Sequence, residues 1–201
     1  MLYDIEKINS VVNSAGGVAR TVDFNKAGYP NYMVSDLCKR GIIERVRNGY
    51  YSLPKQDERE EETIARLFPD CVVCLDSALF HYNYSDKTPL EWHLAVTRNA
   101  TRSRFKIDYP PIRSYMVSDK LFSLGIMSED WDGVSLLTYD RERTICDCFK
   151  HRNQMDSEIF AKAVNAYAAD KKKNLSNLSQ YAKKMRVYTK VTDLMEVLLN
   201  G

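Results

Sequence analysis

The feature that most constrains this chain is a turn dipeptide within the stretch IERVRNGYYSL, residues 43–53. Asn48 and Gly49 both tolerate the positive φ angles of a type I′ turn, and this pair is the strongest short-range indication of a β-hairpin. The sequence therefore predicts a hairpin with a two-residue loop. Such a loop fixes which residues of the two strands lie opposite each other.

The predicted register gives the hairpin one apolar face and one basic face. It pairs Arg47 with Tyr50 and Val46 with Tyr51, and side chains alternate between the two faces along each strand. An ordinary surface hairpin with solvated arginines is the alternative. We expect the core face to consist of Val46, Tyr51 and Leu53, and the solvent face to consist of Arg45, Arg47 and Ser52.

Three short helices are predicted before the hairpin. The first, in YDIEKINSVVNSAGG, has apolar residues at helical spacing and Asp4 as its N-cap. A short helix follows with Thr21 as its N-cap and Gly28 at its end. The third has Pro30 in its first turn and stops at Gly41. Helix, short helix, tight turn, helix and hairpin is the order of a winged helix-turn-helix.

The remainder of the chain predicts a second and larger module. The stretch QDEREEE contains five acids and one base and marks the junction. We therefore expect a winged helix-turn-helix domain at residues 1–55 and an α+β domain at residues 56–201. EWHLAV, IRSYMV and GVSLLTY are strand candidates, and the chain after residue 140 has helical periodicity. The predicted fold class is α+β: an N-terminal winged helix-turn-helix, then a mixed-sheet α+β domain with C-terminal helices.

Positive charge is local in this chain. The formal net charge is only +2, so composition alone does not indicate a nucleic-acid partner. Residues 1–55 contain eight Lys and Arg against five Asp and Glu, and residues 150–190 contain ten against three. In the second segment, Lys183, Arg186 and Lys190 fall on one face of a predicted helix and form a candidate basic stripe. A solvated helix face is the alternative.

The predicted helix over residues 30–40 is a candidate DNA-reading helix. In a helix-turn-helix the second helix enters the major groove, and basic residues around it contact phosphates. Asn31 suits adenine, whereas Asp36 is unfavourable beside phosphates unless it accepts a hydrogen bond from cytosine. We predict double-stranded DNA as the partner, with RNA or a protein partner as alternatives. The candidate DNA-binding residues are Arg20, Thr21, Asn31, Tyr32, Ser35, Lys39, Arg40, Arg45, Arg47 and Asn48.

No catalytic or metal-binding pattern emerges from the sequence. The three histidines are scattered, and HExxH, GxSxG and P-loop motifs are missing. CVVC and CDC lack the partner motif of a zinc site, and DWDG is explained by an acidic turn. In DRERTICD, Asp140 is a predicted N-cap, and Arg143 and Asp147 form an ordinary i, i+4 pair. We expect no enzymatic activity, no catalytic residues, no cofactor and no metal.

Several stretches resemble the AbiEi-type antitoxins of abortive-infection toxin–antitoxin systems. The first is AGGVARTVDFNKAGYPNYMVSDLCKRGIIERVRNGYYSLP; SALFHYNYSD, LLTYDRERTICDCFKHR and NLSNLSQYAKKMRVYTKVTDLMEVLL are similar to later segments of that family. The resemblance implies a winged helix that binds inverted repeats upstream of its own operon and represses transcription. It also implies a C-terminal domain that counteracts a nucleotidyltransferase-like toxin without forming a stable complex.

Two further expectations concern location and the alternative function. No stretch approaches the roughly 20 apolar residues of a membrane span, and MLYDIEKINS lacks the features of a signal peptide. The odd number of cysteines, five, fits reduced thiols. We therefore expect a cytoplasmic protein. The alternative function is a nucleotide- or RNA-acting enzyme, or an RNA-binding factor, with a winged-helix adaptor domain.

Overall fold

The computed structural model describes residues 3–54, 59–107 and 109–200. The chain forms two compact units: unit 1 comprises Met1–Pro69 and Ser103–Pro111, and unit 2 comprises Asp70–Arg102 and Ile112–Gly201. The predicted domain boundary between residues 55 and 56 lies outside the described residues. The acidic helix that follows it groups with unit 1, as does a segment from the middle of the chain.

Unit 1 has the predicted order of a winged helix-turn-helix. Its elements are α1 (Ile5–Ser14), β1 (Ala19–Arg20), α2 (Thr21–Lys26), α3 (Asn31–Lys39), β2 (Glu44–Arg47), β3 (Tyr50–Ser52) and α4 (Glu60–Leu67). The three strands form an antiparallel sheet in the order β1-β3-β2. The apolar faces of α1, α2 and α3 pack against this sheet in a core around Ile8, Val12, Phe24, Val34, Leu37, Ile43 and Tyr51.

Short-range hydrogen bonds set the starts of the first two helices. The Asp4 carboxylate accepts a hydrogen bond from the Lys7 backbone N–H at 3.0 Å, which confirms Asp4 as the N-cap of α1. The N-cap of α2 is Arg20 and not Thr21, so that prediction is wrong. The Arg20 backbone N–H donates to the Asp23 carboxylate at 2.9 Å, and this bond fixes the helix start one residue earlier.

The turn of the hairpin differs from the prediction. Gly49 has a φ angle of 78°, whereas Asn48 does not have a positive φ angle. A type I′ turn needs positive φ angles at both central residues, so this turn is not type I′. Gly49, the second residue of this two-residue loop, adopts the left-handed conformation, which costs glycine little because it has no Cβ. Ser52, predicted on the solvent face, is buried.

A β-bulge changes the register of the hairpin. Arg47 lies opposite Tyr50, as predicted, but the register shifts between Arg45 and Arg47. Arg45 therefore lies opposite Tyr51, where Val46 was predicted, because the bulge inserts an extra residue into β2. The two arginines consequently pair with the two tyrosines of β3.

Unit 2 is a mixed sheet followed by helices, which confirms the α+β class. Its elements are β4 (Val72–Val73), α5 (Leu75–His81), β5 (Trp92–Thr97), β6 (Ile112–Val117), α6 (Asp119–Phe122), β7 (Ile126–Trp131), β8 (Val134–Tyr139), α7 (Arg141–Lys150), α8 (Ser157–Ala169), α9 (Leu175–Met185) and α10 (Tyr188–Asn200). The strand order is β6-β5-β4-β8-β7, with β5–β6 and β4–β8 parallel. Two 3₁₀ turns span Arg102–Phe105 and Arg152–Gln154.

The acidic turn predicted in DWDG joins β7 to β8. Asp132 and Gly133 have φ angles of 49° and 87°, so the two-residue loop with two positive φ angles occurs here. The Asp130 carboxylate accepts a hydrogen bond from the Gly133 backbone N–H at 3.0 Å. The edge strand β7 itself was not predicted, since three successive polar residues, Ser128 to Asp130, interrupt the apolar pattern of IMSEDW.

The pair formed by Arg143 and Asp147 is not the ordinary surface pair that was predicted. The Arg143 side chain is fully buried, and its Nε donates to the Asp147 carboxylate at 3.0 Å. Its Nη1 donates to the backbone carbonyls of Leu121 and Leu124 at 2.5 and 3.0 Å, and the guanidinium lies 4.0 Å from the ring centre of Tyr139. Arg143 therefore joins α7 to α6 and to the segment between α6 and β7.

We expect Arg143→Ala to lower the free energy of unfolding of unit 2 by about 3–5 kcal/mol, because the Asp147 carboxylate would remain buried without its cation. Both tryptophans of the chain, Trp92 and Trp131, lie in unit 2, so urea unfolding can be followed by tryptophan fluorescence. The control is Arg113→Ala, which removes a half-exposed arginine that pairs with Glu91. Equal losses for the two variants would contradict the role of Arg143.

A buried histidine makes the stability of unit 2 dependent on pH. His93 Nδ1 accepts a hydrogen bond from the Asp76 backbone N–H at 3.3 Å, so the imidazole must be unprotonated at that nitrogen. The Tyr115 hydroxyl lies 3.4 Å from the same atom. Burial, together with the nearby charge of Arg113, lowers the pKa of His93 to about 4.

Acidification from pH 6.5 to pH 4 should therefore lower the free energy of unfolding. The unfolded chain binds a proton at His93 with a pKa near 6.5, whereas the folded protein keeps the ring neutral down to about pH 4, so up to about 3 kcal/mol is lost. Urea midpoints measured between pH 7 and pH 4 should fall less steeply for His93→Gln than for the unmodified protein. Parallel pH profiles would show that His93 does not contribute.

Candidate nucleic-acid interface

Helix α3 presents a polar face to solvent. Val34 and Leu37 are buried in the core of unit 1 and fix the rotation of the helix. Asn31, Tyr32 and Lys39 are exposed as a result, and Tyr32 is 67% exposed. A helix anchored on one side and polar on the other meets the geometric requirement for insertion into a major groove. Ser35, on the same predicted face, is half-buried.

The negative charge of Asp36 is paired with a cationic side chain of unit 1. The carboxylate accepts hydrogen bonds from the Tyr3 hydroxyl at 2.6 Å and from Arg40 Nε at 2.7 Å. These two bonds lower the pKa of Asp36, so the group stays ionised while a cation lies beside it. The repulsion between Asp36 and the phosphates of a bound DNA is therefore weaker than it would be for an unpaired carboxylate. Arg40 remains about half exposed.

The amide of Asn31 is oriented by a neighbouring side chain. Asn25 Nδ2 donates a hydrogen bond to Asn31 Oδ1 at 3.0 Å. Asn25 lies in α2 and Asn31 is the first residue of α3, so the bond connects the two helices of the motif. The Asn31 carbonyl oxygen has a second lone pair, and its amide nitrogen can still donate to a base.

The start of α2 lies against the hairpin turn. The Thr21 backbone N–H donates to the Gly49 carbonyl at 2.9 Å, and the Thr21 hydroxyl lies 3.4 Å from the same oxygen. Arg20 pairs with Asp23 at 3.2 Å and is 48% exposed. The predicted phosphate contacts Arg20 and Thr21 therefore lie next to the turn, although both already have partners in the free protein.

The two arginines of the hairpin have different environments. Arg45 is exposed, and its guanidinium lies 5.7 Å from the ring centre of Tyr51. Arg47 is half-buried, because its guanidinium lies 3.9 Å from the ring centre of Tyr50 and its Nη1 donates to the Arg104 carbonyl at 3.5 Å. Arg47 is thus packed against neighbouring residues, whereas a position on the solvent face of the hairpin was predicted. Asn48, at the turn, is exposed.

Arg47 belongs to what we call the cation–aromatic cluster, which consists of Arg47, Tyr50, Phe68, Arg104 and Phe105. The rings of Phe68 and Phe105 are stacked, with centres 5.3 Å apart. The guanidinium groups of Arg47 and Arg104 lie 5.8 and 5.6 Å from the centre of the Phe68 ring. Local sequence patterns do not predict this cluster, because Arg47 and Arg104 are 57 residues apart.

The predicted C-terminal basic stripe is wrong as a single helical face. Arg186 has a φ angle of 62°, and this left-handed residue ends α9. Lys183 lies in the last turn of α9, whereas Lys190 lies in α10. The buried Val187 anchors the turn between these helices, because its backbone N–H donates to the Ala182 carbonyl at 2.9 Å. The side chains of Lys183, Arg186 and Lys190 are exposed.

Within residues 3–54, 59–107 and 109–200, no group of three or more His, Cys, Asp or Glu side chains is arranged to hold a metal ion. The five cysteines are free thiols. Among the helices of these ranges, none is long and apolar enough to cross a membrane.

We expect Arg47→Ala to loosen the hairpin, because Arg47 joins it to Phe68 and Arg104. Loss of these contacts should weaken local protection by about 1 kcal/mol, which corresponds to about five-fold faster hydrogen exchange at the amides of β2 and β3. Arg45→Ala is the matched control, since Arg45 is the exposed arginine of the same strand. If both variants exchange at the same rate, the cation–aromatic cluster does not hold the hairpin.

Comparison with known proteins gives a family match and a structural match. Residues 6–54 match the family described as "Transcriptional regulator, AbiEi antitoxin". The crystal structure of the RV2827C protein from Mycobacterium tuberculosis aligns with a TM-score of 0.70 and 12% sequence identity, covering 99% of this chain and 78% of that chain. This second match concerns the fold alone. A search of curated protein sequences gave no match. The resemblance is thus confirmed over residues 6–54, which are similar to the AbiEi antitoxin family of transcriptional regulators.

Proposed function

We propose that this protein is an antitoxin that also binds operator DNA and represses its own operon. The observation that supports this most directly is the exposed polar face of α3, within the segment that matches AbiEi antitoxin transcriptional regulators. The ion pair between Asp36 and Arg40 allows this face to approach a polyanion, because the carboxylate already has a cationic partner.

In the proposed complex, α3 lies in the major groove of double-stranded DNA. Asn31 at the start of α3 pairs with an adenine edge, and Tyr32 contacts a thymine methyl group or a phosphate. Lys39 and Arg45 neutralise phosphates beside the groove. Arg40 contributes through its Nη groups while its Nε stays bonded to Asp36, and Arg20 contributes once DNA competes with Asp23. Ser35, Thr21 and Asn48 complete the proposed contact surface as hydrogen-bonding groups.

The antitoxin role is proposed from the family match and concerns a nucleotidyltransferase-like toxin. We infer that the toxin is encoded next to this gene and that the two proteins need not form a stable complex. Expression of the neighbouring gene should stop growth, and co-expression of this protein from an unrelated promoter should restore it. Persistent growth arrest, with both proteins present at comparable levels, would contradict the antitoxin role.

Substitutions in α3 and in the hairpin should affect DNA binding differently. Asn31→Ala should relax the choice at one base pair and cost about 1–3 kcal/mol on the operator alone. Arg45→Ala should weaken operator and scrambled duplex alike and reduce the salt slope by about 1, because it removes a phosphate contact. Fluorescence anisotropy titrations at several salt concentrations measure both quantities.

The matched control is Lys120→Ala, because Lys120 is exposed in unit 2 and lies outside both basic segments. This variant should bind both duplexes like the unmodified protein. If the unmodified protein shows no preference for DNA upstream of its own operon over scrambled duplex, the proposal of repression fails. If Asn31→Ala and Arg45→Ala behave alike, the assignment of α3 as the reading helix fails.

A further inference from the structure

We propose that residues 103–107 are part of the DNA interface, with Lys106 contacting a phosphate next to the hairpin and Arg47 acting as a positioning residue. The inference rests on the proposed function and extends it to a segment outside the family match. In sequence these residues lie between β5 and β6, two strands of unit 2, yet Ser103–Pro111 belongs to unit 1.

The segment is attached to unit 1 at both ends. At its start, the Arg104 carbonyl accepts the hydrogen bond from Arg47, and Phe105 stacks on Phe68. Beyond its end, the Tyr109 hydroxyl donates a hydrogen bond to the carboxylate of Glu60. Lys106 directly follows the packed residues Arg104 and Phe105, which limits the freedom of its backbone. A side chain there is presented at a defined place next to the hairpin.

The charge of this segment suits a polyanionic partner. Lys106 is exposed, and it follows Arg104 by two residues, so its Cα lies at most about 7 Å from that of Arg104. The backbone N–H of Lys106 donates to the Ser103 carbonyl at 3.2 Å, which closes a turn and fixes the local backbone. A lysine side chain held beside a basic hairpin can neutralise one phosphate of a duplex that the hairpin already contacts.

Arg47 is packed against neighbouring groups, so it provides little exposed positive charge for contact with a phosphate. Its guanidinium is packed between the Tyr50 ring at 3.9 Å and the Arg104 carbonyl, and it also faces Phe68. An arginine used in this way orients the strand and is not a mobile phosphate clamp. The hairpin then has Arg45 as its exposed cation, next to the acidic side chain of Glu44. Lys106 supplies an exposed positive charge next to the hairpin, in addition to that of Arg45.

A charge-reversal pair tests the contact by Lys106. Lys106→Glu and Lys120→Glu change the net charge equally, and both residues are exposed. We expect Lys106→Glu to weaken binding to operator and to scrambled duplex at least about ten-fold, and Lys120→Glu to weaken it less than about two-fold. Lys106→Ala should reduce the slope of log K against log salt by about 0.9, the value for one phosphate contact.

A second set of variants tests the positioning role of Arg47. Arg47→Lys keeps the charge but loses the planar group that packs on the rings, so it should bind DNA as weakly as Arg47→Ala. Both variants should keep the salt slope of the unmodified protein, because no phosphate contact is removed. Arg45→Ala, by comparison, should reduce the slope by about 1.

The outcomes separate this inference from the proposed function. If the unmodified protein does not bind operator DNA selectively, the proposed function and this inference both fail. If it binds selectively but Lys106→Glu and Lys120→Glu weaken binding by the same factor, residues 103–107 are outside the interface. If Arg47→Lys binds like the unmodified protein, or if Arg47→Ala reduces the salt slope by about 1, Arg47 contacts phosphate directly and is not a positioning residue.

Discussion

The position of the hairpin depends on the packing of one guanidinium group. Arg47 is in contact with the ring of its strand partner Tyr50, with Phe68 after α4, and with the backbone of Arg104. These contacts join the hairpin to two other segments of unit 1, in addition to the core packing of Tyr51 and the hydrogen bond from Thr21 to Gly49. The exposed cation Arg45 and the turn next to Thr21 take their positions from this arrangement.

Unit 2 uses a buried arginine in a similar way. Arg143 is fully buried between the Asp147 carboxylate, the Tyr139 ring and two backbone carbonyls, and it joins α7 to the segment before β7. Both arginines use the planar guanidinium to satisfy carbonyl groups and to cover an aromatic ring, which a lysine cannot do equally well. They differ in burial, and accordingly Arg143 should matter more for stability than Arg47 does.

Features that depend on neighbouring residues could be predicted from the sequence. The cap at Asp4 and the strand β5 follow from local spacing and composition, and the structure confirms both. The β-bulge beside Arg45, the hydrogen bond from Tyr3 to Asp36 and the packing of Arg47 could not be predicted. They depend on residues that are distant in sequence, or on one inserted residue whose cost depends on the rest of the sheet.

The central claim is that α3 reads a specific DNA sequence while the hairpin contacts the adjacent backbone. Hydroxyl-radical footprinting of the purified protein on the DNA upstream of its own operon tests this most directly, because it locates backbone protection at single-nucleotide resolution. The account predicts a discrete protected segment on that DNA, together with its disappearance at the same protein concentration when Asn31 is replaced by alanine. Uniform cleavage along the whole fragment at saturating protein would contradict it.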